Sequence, residues 1–312
     1  MSNSNETQND SDPAEVTGDA PYVIVGVDGS EGSQRAIDWA INHSDTFGPV
    51  QPVAAYHVEA LGDGVGTPSI YHDLTELMAE DARNQLTTSL EPYAPEVLDR
   101  GRVVRGYPGP ALVRSSQDQA LLVVGSRGRS ALAETLLGSV TSYCVKHASI
   151  PVAVIPEGTP VDQPLNHLVV GIDGSKNADA ALRWALQHVA PGGTVTAINT
   201  WVPGPYSVDL LPSYPEPTAE EKRRLQASID QAVLDVSRSA HPGSTAVKLD
   251  VTVNFESAIG DPRVVLPERA GSADLLVIGA RGHRGITYLL LGSVSTSLLH
   301  HPTVPTVVVP ES

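Results

Sequence analysis

Val25–Ala40 reads VGVDGSEGSQRAIDWA and Val170–Ala185 reads VGIDGSKNADAALRWA, the same phrase twice, 145 positions apart (170 − 25). Each opens as an apolar run, breaks at Asp-Gly-Ser, and continues with apolar residues at helical spacing. Bounded runs rich in Val and Ile read as buried parallel strands. Ser30 and Ser175 stand where a helix cap belongs. Ala36, Ile37 and Ala40 in one copy, and Ala181, Leu182, Ala185 and Leu186 in the other, mark an amphipathic helix. A strand, a tight turn and a helix predict an α/β unit, present twice.

The second half of each copy repeats as well. Leu121–Pro156 contains LLVVGSRG, LLGSV and SIPVAVIP; Leu275–Pro310 contains LLVIGARG, LLGSV and TVPTVVVP, 154 positions on (275 − 121). The later copy therefore carries nine additional residues (154 − 145) between its early and late motifs. The Pro-rich stretch Pro203–Pro217 reads as the loop that holds them. Further strands are expected at Pro52–Val58 and Thr194–Val202, at Arg102–Arg105 and near Val247–Phe255, at Ala120–Val124 and Asp274–Ile278, and at Val152–Ile155 and Thr306–Val309. Long polar helices are expected around Asp73–Leu90 and Ala219–Ser239.

Strands alternating with helices predict, for each copy, a Rossmann-like domain: a five-stranded parallel sheet with helices on both faces. The domains are expected at residues 21–157 and 165–312, joined by a short Pro-, Gly- and Asp-containing linker. Residues 1–20 form an acidic tail with Glu6, Asp10, Asp12, Glu15 and Asp19 and no Lys or Arg; its composition predicts disorder.

The formal charge of −16, of which −5 is in that tail, disfavours phosphate backbones and anionic membranes as partners. The N-terminus does not read as a signal peptide, and no run reaches the roughly 18 apolar residues of a membrane helix. Cys144 is the single cysteine, so no internal disulfide can form. Together these predict a cytoplasmic location with neither nucleic acid nor membrane as partner.

The chemistry-bearing pattern is G-x₂-G-x₉-G-S, present as Gly125, Gly128, Gly138 and Ser139 and again as Gly279, Gly282, Gly292 and Ser293. Glycines let backbone approach a ligand, and a helix start after Gly-Ser favours an anion through free N–H groups and the dipole. Ser139, Thr141, Ser293 and Ser295 can add hydroxyl donors. Asp28 and Asp173 end the first strands, beside the crevice where a parallel sheet binds ligands. Read alone, the glycines could only shape turns, and Asp28 could only hold one.

VDGS and IDGS followed by this glycine pattern resemble the universal stress protein family, over about residues 20–312. The resemblance implies an adenine nucleotide α-hydrolase-like fold and an ATP site in each copy, occupied with Mg²⁺. It places Gly26, Asp28, Gly171 and Asp173 near the nucleotide, with Asp28 and Asp173 meeting the metal through Mg–ATP. His57 and Thr200 align with a residue whose backbone reads adenine. Val124 and Ile278 line the adenosine pocket. Gly125, Arg127, Gly128, Gly279, Arg281 and Gly282 meet ribose and phosphates. Gly138, Ser139, Val140, Thr141, Gly292, Ser293, Val294 and Ser295 hold the triphosphate. It further implies pairing of the copies, antiparallel through their last strands, and leaves room for a homodimer of whole chains.

No G-x-S-x-G, H-E-x-x-H or G-x₄-G-K-[ST] motif occurs, nor the HxGH or SGGxDS motifs of acid-activating relatives. The expected role is an ATP-binding regulator in a stress response, with at most slow incidental hydrolysis. A nucleotide-free scaffold and an adenylate-transferring enzyme are the alternatives. His300 and His301 diverge by about 100° on a helix and read as a surface pair. Cys144 reads as a small core residue. Asp274, where the first copy has Ala120, reads as a cap on a strand start.

Overall fold

The structure, a computed structural model, describes residues 20–58, 68–128, 137–201, 217–240, 250–282 and 291–311. The first copy runs β1 (Val23–Val27), α1 (Glu31–Asn42), α2 (Ser44–Phe47), β2 (Val50–Tyr56), α3 (Pro68–Leu90), α4 (Pro95–Asp99), β3 (Arg102–Arg105), α5 (Pro108–Ser115), β4 (Leu121–Gly125), α6 (Ser139–His147) and β5 (Val152–Ile155). The second runs β6 (His167–Gly171), α7 (Lys176–His188), β7 (Thr194–Trp201), α8 (Ala219–Ala240), β8 (Thr252–Ile259), α9 (Pro262–Ala270), β9 (Leu275–Gly279), α10 (Ser293–His300) and β10 (Thr306–Val309).

These strands form one ten-stranded sheet in the order β3-β2-β1-β4-β5-β10-β9-β6-β7-β8. All neighbours are parallel except β5 and β10, which run antiparallel with Thr306 opposite Val154 and Val308 opposite Val152. Within each copy the chain leaves its first strand one way and returns on the other side. That reversal opens a crevice at the carboxyl ends of β1 and β4, and again at β6 and β9.

Alternation along the strands sorts the core onto two faces. Val23, Val25 and Val27 face α1 and α3, while Ile24 joins the opposite core with Leu112 of α5 and Cys144 of α6. Burial pushes the Cys144 thiol up to about 12, so it is a neutral packing group. Ser30 Oγ accepts from Ser33 N–H at 3.1 Å and Ser175 Oγ from Ala178 N–H at 3.2 Å, capping α1 and α7. Gly29 and Gly174, at φ 76° and 79°, make the turn that precedes each cap. Asp274 Oδ2 accepts from the N–H groups of Asn166 and His167 at 2.9 and 2.8 Å, capping the start of β6.

Several boundaries differ from the sequence reading. The first strand of each copy stops at Val27 and Gly171, before the aspartate; β2 starts at Val50 and ends at Tyr56; β4 and β9 start one residue later and take in Gly125 and Gly279. β8 is Thr252–Ile259 rather than a strand near Val247–Phe255, part of which lies outside the described residues. Helix α3 starts at Pro68, where a proline at the first helical position costs no hydrogen bond. The helices α5 and α9, which the sequence reading passed over, begin with Pro in the same way. Residues 202–216, which hold all of the expected Pro-rich loop but Pro217, lie outside the described residues, as do residues 1–19.

An aromatic seam joins the copies on one face. Phe47 stacks on Trp39 at 5.4 Å and on Trp184 at 5.6 Å between ring centroids, and His188 lies 5.0 Å from Phe47. Two of the chain's three tryptophans and one of its two phenylalanines meet here, so a scarce resource is concentrated at this joint. The linker is tied to it: Asn42 Nδ2 donates to Val161 O, and His43 Nε2 lies 3.0 Å from Gln163 O.

Burial against Trp184 and Phe47 holds the His188 imidazole below its ordinary pKa, with an opposing contribution from its bond to Trp184 O. The unfolded chain then binds the proton more readily than the folded one. Stability is therefore present above about pH 6.5 and falls as the pH drops below that value. Denaturant midpoints measured from pH 7.5 to 5.5 should fall, and His188→Gln should flatten the fall. An identical slope in the variant would mean that the seam does not carry the effect.

Candidate functional site

The two crevices are built from the same parts. On one wall, Asp28 follows β1, and its Oδ1 accepts from Ser30 N–H at 3.0 Å; Asp173 Oδ1 accepts from Ser175 N–H at 3.0 Å. The other carboxylate oxygen lies over the glycine loop. A Cβ added at Gly128 would lie 2.5 Å from Asp28 Oδ2, and one at Gly282 2.5 Å from Asp173 Oδ2. A side chain at the second motif glycine would therefore displace the aspartate's carboxylate. Gly138 N–H donates to Ser126 O at 2.9 Å and Gly292 N–H to Ala280 O at 2.8 Å, bringing the Gly-Ser start of α6 and α10 beside that loop.

These two helix starts differ from the others at the crevices. Helices α1 and α7 have side-chain caps; α6 and α10 have none. The first bond of α6 runs from Ser142 N–H to Gly138 O, leaving the amides of Ser139, Val140 and Thr141 ahead of the helical ladder. Ser139 and Ser293 are exposed there, with Val140 and Val294 half-buried behind them. Uncapped amides, an exposed hydroxyl and the helix dipole make an anion-binding corner.

Other expected roles require correction. Thr141 Oγ1 donates to Gly125 O at 2.6 Å and Ser295 Oγ to Gly279 O at 2.8 Å, so these buried hydroxyls brace the strand end and have no donor left to offer. Packing alone already requires glycine at 125. A Cβ there would lie 2.5 Å from Gly32 O, in the first turn of α1, and one at Gly279 would lie 2.7 Å from Asn177 Cβ in α7. Likewise a Cβ at Gly26 would lie 2.8 Å from Leu112 Cδ1, and one at Gly171 3.0 Å from Leu266 Cδ1: both glycines admit a helix close to the strand. Val124 and Ile278 are core residues of the α5/α6 and α9/α10 side.

His57 and Thr200 are not counterparts. Gly106 N–H donates to Tyr56 O and Gly260 N–H to Trp201 O, which equates Tyr56 with Trp201 and Thr200 with Ala55. The counterpart of His57 is then residue 202, outside the described residues. The same equation places the nine additional residues between Trp201 and Gly260. His57 stacks on Tyr107 at 3.5 Å, and its Nε2 is buried without a hydrogen-bond partner among the described residues. Tyr107, exposed at the end of β3, was not singled out in the sequence. Nor were Gly32 and Asn177, although each sits four residues after the aspartate.

Arg127 pairs with Glu157 at 3.3 Å, whereas Arg281 Nε is buried with no partner among the described residues. Among the described residues no three His, Cys, Asp or Glu side chains gather to hold a metal, and no helix is long and apolar enough to cross a membrane.

The model of the universal stress protein family matches residues 22–156 and 164–310. Two universal stress proteins of Mycobacterium tuberculosis are 31% and 30% identical to the chain, over 93% and 92% of it and 97% and 94% of their own length. A universal stress protein from Archaeoglobus fulgidus DSM 4304 has the same fold, with a TM-score of 0.61 at 20% identity, covering 94% of this chain and 97% of its own. A duplicated strand–turn–helix, a duplicated crevice and two adjacent family matches lead to one conclusion: the chain belongs to the universal stress protein family, with two copies of its domain in tandem.

Proposed function

We propose that each crevice binds ATP with Mg²⁺, and that the protein acts in a stress response by binding rather than by turnover. The carrying observation is the pairing, in both copies, of an uncapped helix start after Gly-Ser with an aspartate across the glycine loop. The uncapped amides and Ser139 or Ser293 would hold the phosphates. Asp28 or Asp173 would meet them through the metal, since a bare carboxylate repels a triphosphate. Bound Mg²⁺ would supply the positive charge between the two. With β5 and β10 paired inside the chain, association of whole chains has to use other surfaces.

A nucleotide-free scaffold is the second reading. Motif glycines and hydroxyls that serve packing, as Gly125 and Thr141 do, would persist without any ligand.

Mass spectrometry of ligand released from purified protein, with titration by Mg–ATP, separates the two readings; an empty protein that gives no heat with Mg–ATP belongs to the second. Asp28→Asn and Asp173→Asn can retain the Oδ1 acceptor that holds the turn while replacing the other oxygen, and with it the charge, by an amide NH2. Each should weaken Mg–ATP binding at its own site by roughly tenfold, the scale of one charge-assisted contact, and ATP without metal by much less. Equal affinity with and without Mg²⁺ in both variants rejects the metal-linked role.

A further inference from the structure

The two crevices are alike in backbone and differ at several buried positions, Ser33 against Ala178 and Ser126 against Ala280 among them, and most in size at one. Helix α1 brings Gly32 against Gly125; helix α7 brings Asn177 against Gly279. Asn177 is 5% exposed, and its Oδ1 is buried without a hydrogen-bond partner among the described residues. An amide oxygen left so in a core is costly and is ordinarily matched. Two residues beyond Gly279, Arg281 Nε is a buried donor without a partner among the described residues. The first copy has no side chain at position 32, and its Arg127 already pairs with Glu157. Among the described residues, the second copy therefore has an unmet amide acceptor and an unmet guanidinium donor beside Gly279, whereas the matching positions of the first copy have neither; its own unmet group near the site is His57 Nε2.

We infer that the second crevice is the tighter and more selective nucleotide site, with Asn177 Oδ1 accepting a hydrogen bond from a donor that lies beside the ligand's phosphates. This rests on the nucleotide reading above. An adenine nucleotide with its metal offers two such donors near phosphate: a ribose hydroxyl and a metal-bound water. Arg281 Nε meets a phosphate oxygen in the same complex. Asn177 thereby sets specificity at one of the two sites, and the copies are not redundant.

Titration calorimetry on the full chain tests this with Mg–ATP as probe. Two classes of site, roughly tenfold apart, are expected, the scale of one hydrogen bond to a buried acceptor. Asn177→Gly gives the second copy the residue that the first already tolerates. It should merge the classes into one of two equal sites at the weaker affinity, with an unchanged circular dichroism spectrum. Asn177→Ala checks that any loss does not come from glycine's freedom. Mg–2′,3′-dideoxy-ATP erases the gap if the donor is ribose; ATP with a chelator erases it if the donor is metal-bound water. A gap that persists in both arms, a gap unmoved by either variant, or a wild type with two equal sites overturns the inference and leaves nucleotide binding standing. Absence of heat in the wild type removes the nucleotide reading itself, and this inference with it.

Discussion

Phe47→Ala should lower stability by about 3–5 kcal/mol, the usual cost of emptying a buried aromatic site. In a chain of this size that corresponds to a fall of roughly 5–15 °C in the melting midpoint. Phe47 contributes more than its own burial because it stands between Trp39 of one copy and Trp184 of the other. Aromatic pairs of this kind add about 0.5–1.5 kcal/mol beyond area. The four-residue strands β5 and β10 form the other joint between the copies, and they are short. With the seam emptied, unfolding should separate into two transitions in differential scanning calorimetry. A shift under about 2 °C with one sharp transition would show that the seam is incidental.

Gly125→Ala should cost roughly 1–3 kcal/mol or more, and Gly279→Ala a similar amount, as overpacking rather than as a lost ligand contact. The added methyl at Gly125 meets a backbone carbonyl, which cannot rotate away as a side-chain tip can. Helix α1 would have to lift from the end of β4, and α7 from β9. Lifting α1 also moves its Ser30 cap and so Asp28, so nucleotide affinity should fall together with stability. Denaturant unfolding and calorimetry on the same samples separate the causes. Weakened binding at unchanged midpoint would return the glycine to the ligand and contradict the packing role.

The repeat, the alternation of strand and helix, and the two switch-point crevices were legible in the sequence because they rest on local pattern. VGVDGS and LLVVGSRG carry strand, turn and helix start in consecutive residues. Other features depended on what stands opposite in space. Nothing near Gly125 says that Gly32 lies across from it, and an all-apolar strand such as LLVVG does not say which face Val124 takes. The mismatch of His57 with Thr200 has the same origin: strand two is anchored by a bond from Gly106 or Gly260, roughly 50 residues downstream or more. Helices α5 and α9 were missed because Pro-Gly-Pro and Pro-Arg read as loop, although a leading proline suits a first helical turn. Thr141 was read as a donor to ligand because its bond to Gly125 O spans 16 positions.

Joining β5 to β10 within one polypeptide has a consequence for how the molecule can change. In an assembly of two identical chains, any substitution appears twice, at both crevices at once. Here the two halves are joined by one antiparallel strand pair, as two identical chains could be, but each position is encoded separately. Gly32 and Asn177 are one such separation already in place. The partnership is also indifferent to dilution, because neither half can drift away from the other. A cell could hold few copies of this protein and still have both crevices in every molecule, with the two free to diverge.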